Sequence, residues 1–277
     1  MTSYSTLKIG KKYSPGFKTY VTQNGKIVSP FHDIPLHMTE NREVISVICE
    51  IPRFENGKFE INKKERFNPI KQDVKNGKPR FVKNVFPMKG YLWNYGAIPQ
   101  TWESPHEIDK HVGAKGDNDP LDVIEIGGRK KKIGEVYQAK VLGSIALVDE
   151  DECDWKVIVI DVCDEKANEM NDIEDVQKMC GGLLEQTKFW FENYKVPDGK
   201  GKNSFALDGK YMNKEFTLKV IGNAHESWCG MVNSKDSEDI CKENSTLMDK
   251  IDPPAITGED LSDSEIPDYV NQFEFIK

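Results

Sequence analysis

The stretch Asp117-Asn118-Asp119-Pro120-Leu121-Asp122 puts three carboxylates within six residues, directly after Gly116. A fold that accepts such a segment must leave it in water or gather it around a cation, because like charges this close repel. Hard divalent ions such as Mg²⁺ and Ca²⁺ are suited to an all-oxygen ligand set. Pro120 fixes its own φ and biases Asp119 towards extended backbone. On extended chain Asp117 and Asp119 point to one side, and Asp122 follows after the bend. An EF-hand loop starting at Asp117 would need Gly and Glu where Asp122 and Gly128 stand, so that reading fails. An isolated Asp-x-Asp of the sugar-nucleotide transferase kind would need a nucleotide-binding βαβ unit, and none is found nearby.

A second acidic cluster, Asp149-Glu150-Asp151-Glu152-Cys153-Asp154, lies between the apolar runs Ala139 to Val148 and Val157 to Val162. It reads as strand, loop, strand, with Asp149 and Asp154 at the ends of the loop. Lys156, two residues on, shares a strand face with Asp154. Two carboxylate clusters with a lysine on a buried strand point to a multi-metal phosphate site.

At this point the chain resembles the soluble family I inorganic pyrophosphatases, eukaryotic type. The resemblance rests on Gly116 to Val123, Phe31 to Pro35, Glu50 to Arg53, Asn68 to Asp73, Trp93 to Ala97, Pro99 to Glu103, Asp154 to Ile158 and Tyr194 to Lys200. It spans roughly residues 15 to 230. It implies Mg²⁺-dependent hydrolysis of inorganic pyrophosphate to two orthophosphates by metal-activated water, with three to four Mg²⁺ ions. By motif match Asp117, Asp122 and Asp154 would hold the first ion, and Asp122 would share a second. Asp149, with Asp154, would hold a third, and Glu60 would reach a fourth that arrives with substrate. Asp119 would be the general base. Lys58, Arg80, Tyr194 and Lys195 would contact phosphate, with Tyr95 beside them. Lys156 would orient these groups together with Tyr95, and Glu50 and Tyr91 would belong to the same supporting shell. The partners implied are pyrophosphate, phosphate and a second copy of the chain. The motifs depart from the family at three places. Arg53-Phe54 replaces an Arg-Trp pair at the dimer contact, Met88-Lys89 replaces a His-rich position, and a C-terminal Trp is missing.

Beside the resemblance, 277 residues can bury one sizeable core or two small ones. No run approaches the about 20 apolar residues a membrane span needs. Residues 1–13 lack the pattern of a secretory or transit peptide, so a cytoplasmic location without membrane is expected. The net charge of −8 argues against a nucleic-acid partner. It also disfavours the competing reading of an OB-type nucleic-acid module. A Mg²⁺-dependent phosphohydrolase of short polyphosphate or a nucleoside diphosphate is the other alternative. The six cysteines form no C-x-x-C pair and are expected to be reduced, with Cys49 and Cys163 in the core. No zinc site is expected from the five histidines. Asn244-Ser245-Thr246 matches a glycosylation acceptor that a cytosolic chain would not use.

Short β-branched runs fill the first 165 residues or so: Lys18 to Val21 and Lys26 to Val28 around the hairpin signal Asn24-Gly25, then Val44 to Ile51, Lys58 to Ile61, Val82 to Phe86, Asp122 to Ile126, Gln138 to Val148 and Lys156 to Val162. Helical signals come later. Asn171-Asp172 caps a helix ending near Met179, Leu183 to Tyr194 is a second, and Lys214 to Val232 a third with Phe216, Val220, Ala224, Trp228 and Met231 on one face. Strands followed by helices read as α+β. The resemblance implies a closed five-stranded OB-like β-barrel with further strands and helices around it. The chain is expected to be one domain over 1–277, with 235–277 as an extended, partly flexible tail rich in Asp, Glu, Ser and Pro.

Overall fold

The computed structural model describes residues 3–234, 239–247, 250–253, 255–256 and 258–276. Five strands pair in a ring: β1 (Val44–Ile51), β2 (Asn94–Ala97), β3 (Asp122–Glu125), β4 (Val136–Asp149) and β5 (Glu152–Asp161). The order is β5-β3-β2-β1-β4, and β4 pairs again with β5. Every pair is antiparallel except β3 with β5, which run parallel with Asp122 opposite Lys156. β4 can serve two neighbours because it is long and irregular. It pairs with β1 through Val136–Lys140 and with β5 through Ala139–Asp149, with a register shift between Val141 and Gly143. A Cβ on Gly143 would sit 2.5 Å from the Met212 carbonyl oxygen. Gly96, at the register shift between β2 and β1, is tighter still, since a Cβ there would lie 1.9 Å from the Ile48 carbonyl oxygen.

The acidic segment after β4 is shorter than a loop. Glu150 and Asp151 both have positive φ and join Asp149 directly to Glu152, a two-residue hairpin whose twist matches the strands. Asp154 therefore lies inside β5 rather than at a loop end. Residues along β5 alternate between two apolar clusters: Ile158 and Ile160 pack with Trp93, Trp190 and Phe191, whereas Trp155, Val157 and Val159 pack with Val220 and Ala224. Asp154 and Lys156 share the face of the first cluster by the period of two.

A second sheet contains Tyr4–Lys11, Lys18–Gln23, Lys26–Val28, Phe59–Ile61 and Ile70–Gln72. Asn24 and Gly25, both at positive φ, make its predicted hairpin turn. The first of these strands was not expected, because its residues are exposed or half-buried and carry little apolar signal. Val82 to Phe86 is strand only over Asn84–Val85.

Among the described residues three α-helices cover the ring. In α1 (Ile173–Met179), Asp172 is the N-cap and forms a capping box with Asp175. α2 (Leu183–Asn193) buries Trp190 and Phe191, with Phe191 stacked on Trp93 at 5.2 Å. α3 (Lys214–Asn233) is capped by Asn213 and buries Val220, Ala224, Trp228 and Met231, with Phe216 half-buried. Among the described residues no helix is long and apolar enough to cross a membrane.

The expected tail falls partly on residues 235–238, 248–249, 254, 257 and 277, which lie outside the described residues. Its described parts are tied down. Asp260–Leu261 pairs with Gly10 and Lys11, and Phe273–Glu274 pairs with Asn84 and Val85. Asp33 accepts hydrogen bonds from the Ser245 and Thr246 amides and from the Thr246 hydroxyl. Asn244 of the Asn-Ser-Thr triplet is buried and braces its own turn, so the triplet serves structure. All six cysteines are free; Cys49 is in the core as expected, but Cys163 is exposed just beyond the end of β5.

His32 lies beneath this tail with both ring nitrogens engaged. Nδ1 accepts from Trp228 Nε1 at 3.1 Å, so Nε2 carries the proton and donates to the Cys241 carbonyl at 3.1 Å. Burial pulls its pKa down to about 4, and an added proton on Nδ1 would confront the indole N–H. The unfolded chain takes up that proton as pH falls through about 6.5. Stability is therefore fully present above about 6.5 and is lost as pH falls towards about 4. Urea unfolding across this window should show wild type losing about 3 kcal/mol more than His32→Gln. Parallel pH slopes for the two proteins would contradict this.

Candidate active site

The loop that carries the first acidic cluster is held from behind. Trp102 Nε1 donates to Asn118 Oδ1 at 2.9 Å, the Glu103 amide donates to the Asp119 carbonyl at 2.8 Å, and the Leu121 amide donates to Thr101 Oγ1 at 3.0 Å. Asn118 has φ 69°, so the chain turns here and is not extended. The Asp119 amide folds back on Asp117 Oδ1 at 2.9 Å. This corrects the expectation that Asp117 and Asp119 point alike. Asp117 faces Asp154, whereas Asp119 lies 2.5 Å from Lys63 Nζ with its side chain 44% exposed.

Lys156 is the centre of the site. Its Nζ donates to Asp122 Oδ2 at 2.5 Å, to the Tyr95 hydroxyl oxygen at 3.0 Å and to Asp154 Oδ1. Tyr95 also donates to Asp122 Oδ2 at 2.5 Å. Burial works against the charge on Lys156, yet Asp122 and Asp154 hold its pKa well above the ordinary range. The opposite wall repeats the pairing. Lys58 Nζ lies 2.8 Å from Glu60, Arg80 Nη1 donates to Asp73 Oδ2 at 2.9 Å, and Lys195 pairs with Asp149, which also accepts from the Tyr194 hydroxyl at 3.1 Å. Glu50 accepts from the Ile61 amide at 2.6 Å. All of these residues except Asp73 line one cleft of about 120 Å³, together with Tyr91, Asp117 and Asp119. Every side chain singled out from sequence is thus brought to one place. Roomier clefts of 600 and 700 Å³ lie elsewhere; this one is small because its cations reach across to its carboxylates.

The carboxylates on the ring side hold more negative charge than Lys156 can balance. Burial, reinforced by Asp154, Asp119 and Asp122, raises the Asp117 pKa well above the carboxylate range. Burial pushes Asp154 up to about 7 against the pull of Lys156. Burial and Asp122 raise Glu50 likewise. Burial pushes the Tyr91 phenol up to about 12. One residue escaped sequence reasoning. Glu103 is buried, its pKa is raised by burial and then by Asp117 and Asp154, and it meets these two so that one ligand atom of each lies within 4.8 Å of the others. Its Oε1 accepts from the Trp155 amide, but its Oε2 has no hydrogen-bond partner. Its position in Trp102-Glu103, inside a motif already quoted, was the available signal. An all-oxygen trio of two buried carboxylates and one half-buried, with an orphan oxygen, fits a hard divalent cation.

Replacing Lys156 by Met would strand two carboxylates. With divalent ions chelated, Lys156→Met should cost about 3–5 kcal/mol in urea unfolding, the loss expected when one partner of a buried pair is removed. Added Mg²⁺ should restore part of it by taking over the neutralising role. An equal loss with and without Mg²⁺ would detach Lys156 from that role.

Comparison with known proteins agrees with this geometry. The sequence profile of the family described as inorganic pyrophosphatase matches residues 47–229. The inorganic pyrophosphatase of Encephalitozoon cuniculi is 76% identical over 277 residues, covering 100% of both chains. That of Emericella nidulans is 50% identical, covering 99% of this chain and 98% of the relative. The solved inorganic pyrophosphatase of Schistosoma japonicum superposes with a TM-score of 0.93 at 42% identity, covering 98% of this chain and 100% of that one. A truncated vacuolar soluble pyrophosphatase of Trypanosoma cruzi, solved in complex with PPi, gives 0.77 at 40% identity, over 83% of this chain and 91% of that one. With a profile match over more than half its length and a relative this similar end to end, the chain belongs to the inorganic pyrophosphatase family, enzymes whose reaction is the Mg²⁺-dependent hydrolysis of pyrophosphate.

Proposed function

We propose that the cleft binds pyrophosphate between its two walls and that the residues divide the labour as follows. Asp117, Asp122 and Asp154 hold the first Mg²⁺, Asp122 shares a second, Asp149 with Asp154 takes a third, and Glu60 takes a fourth. Glu103, beside Asp117 and Asp154, supports the first position. When bound, Mg²⁺ neutralises phosphate oxygens and makes water acidic enough to attack near neutral pH. The chain's own groups do the rest. Lys58 and Arg80 leave Glu60 and Asp73 to grip one phosphate, Arg80 as a planar fork. Tyr194 and Lys195 leave Asp149 to donate to the other. Tyr95 lies beside the substrate and, with Lys156, fixes the carboxylates in place, backed by Glu50 and Tyr91. Asp119 accepts the proton of the attacking water. Its side chain is 44% exposed, against 18% for Asp122.

One observation carries the reading: the cations of the cleft are already paired with carboxylates, ready for exchange. A polyanion takes the lysines and arginine while divalent cations take the acids, so both must arrive together. Purified protein with millimolar Mg²⁺ should release phosphate from pyrophosphate and little from ATP. Asp119→Asn should cut turnover by about 10²–10⁴-fold while metal affinity stays near wild type. Asp154→Ala should instead weaken Mg²⁺ binding, read by calorimetry. No phosphate release by wild type would overturn the proposal, and equal Mg²⁺ affinity in Asp154→Ala would overturn that assignment.

The ring is read as a closed OB-like barrel within one domain, since each of its five strands pairs with two others around the circuit. A cytoplasmic location is supported by six free thiols. We also place a homodimer contact at Arg53–Phe54. Phe54 is 54% exposed, and the exposed rings of Phe86, Phe273 and Phe275 form an aromatic cluster, with Phe86 at 5.1 Å from Phe275. Sedimentation should show a dimer at micromolar concentration that Phe54→Asp converts to monomer. A wild-type monomer would exclude the contact and leave the cleft's chemistry untouched.

A further inference from the structure

Helix α3 carries a pair of ligating side chains that take no part in the carboxylate cleft. His225 and Cys229 are one turn apart and share a helix face. Cys229 Sγ lies 3.8 Å from His225 Nε2. His225 Nδ1 lies 2.7 Å from the Gln100 carbonyl oxygen. A carbonyl can only accept, so Nδ1 carries the proton and Nε2 presents a lone pair. His37 is held in the same tautomer by the Val44 carbonyl, 2.9 Å from its Nδ1. His37 and His225 line one cavity of about 360 Å³. In His225, fixing Nδ1 on a backbone carbonyl so that Nε2 is turned to Cys229 is how proteins aim histidine metal ligands.

The spacing fits a tetrahedral ion. With metal–sulfur about 2.3 Å and metal–nitrogen about 2.0–2.1 Å, a tetrahedral angle sets the two ligand atoms about 3.6 Å apart. The observed 3.8 Å needs only a small adjustment. We propose that His225 Nε2 and Cys229 Sγ chelate a borderline transition cation of the Zn²⁺ or Co²⁺ type, with His37 as a third ligand from across the cavity. Among the described residues only the Glu103, Asp117 and Asp154 trio has three ligand atoms already gathered, so to complete this site His37 must exchange its Val44 hydrogen bond for the ion. Burial raises the Cys229 pKa, so the thiol is protonated when the cation arrives and its proton leaves for solvent as the metal–sulfur bond forms. Nitrogen and sulfur donors do not suit Mg²⁺, which keeps the site separate from the cleft. A bound ion would clip α3 to the segment around Pro35–His37.

Co²⁺ titrated into the full chain, after chelator treatment and with Mg²⁺ in excess to occupy the carboxylates, gives the test. Wild type should show a thiolate-to-cobalt charge-transfer band and tetrahedral visible bands. Cys229→Ser should abolish the first while keeping its circular dichroism and its Mg²⁺-dependent phosphate release. His37→Ala should weaken binding about tenfold or more, at least the loss seen when only outer-shell partners go. In a separate measurement Zn²⁺ should slow alkylation of Cys229, read by peptide mass spectrometry. A charge-transfer band that persists in Cys229→Ser, or alkylation of Cys229 at the same rate with and without Zn²⁺, would overturn the proposal.

Discussion

One ammonium group holds the site together. Lys156 sits on a strand buried on both faces and reaches two carboxylates and a phenol from three different ring strands. A lone buried lysine would lose its proton, and Asp154 without it would be protonated more readily. Each charge is tolerated because the others are there, and all of them require β2, β3 and β5 to be side by side. The pairing of those strands is therefore tied to the charge balance of the cleft. The aromatic packing of Trp93, Trp190 and Phe191 behind it excludes water and makes the coupling strong.

The two walls differ in how tightly they are committed. On the Lys156 side the acids are buried and outnumber the cation near them, so they have capacity left for external charge. On the Lys58, Arg80 and Lys195 side each cation has an acid of its own within reach, partly open to water. Lys58 with Glu60 is the most open of them, at 29% and 42%, and pairs that keep contact with water separate more readily than buried ones. In the proposed division of labour, this arrangement would place the rigid, buried ligands where cations need fixed geometry and the more open ones where a phosphate must enter and leave.

Much of this was legible in the chain. Asn24-Gly25, the Asp172 cap and the stripe on α3 are local signals, and local physics decided them. The carboxylates of the site were visible because so many charges rarely cluster without reason. What was hidden depended on partners distant in sequence. The turn at Asn118 follows from the Trp102 indole, and Glu103 becomes a site residue only because the Asp117 loop and β5 close over it. The strand Tyr4–Lys11 has weak periodicity and gains its place from the hairpin beside it and from Asp260–Leu261. Cys163 sits one step beyond an apolar run, where the strand has ended and solvent begins.

The parallel register of β3 on β5, with Asp122 facing Lys156, also limits how such a chain can change in length. Side chains alternate along a strand, so adding or removing one residue before Lys156 in β5 would turn it towards the Trp155 cluster and send an indole into the cleft. Such a frameshift of side chains could not be repaired by substitution nearby. Length variation among descendants of this sequence should therefore avoid the interior of β5.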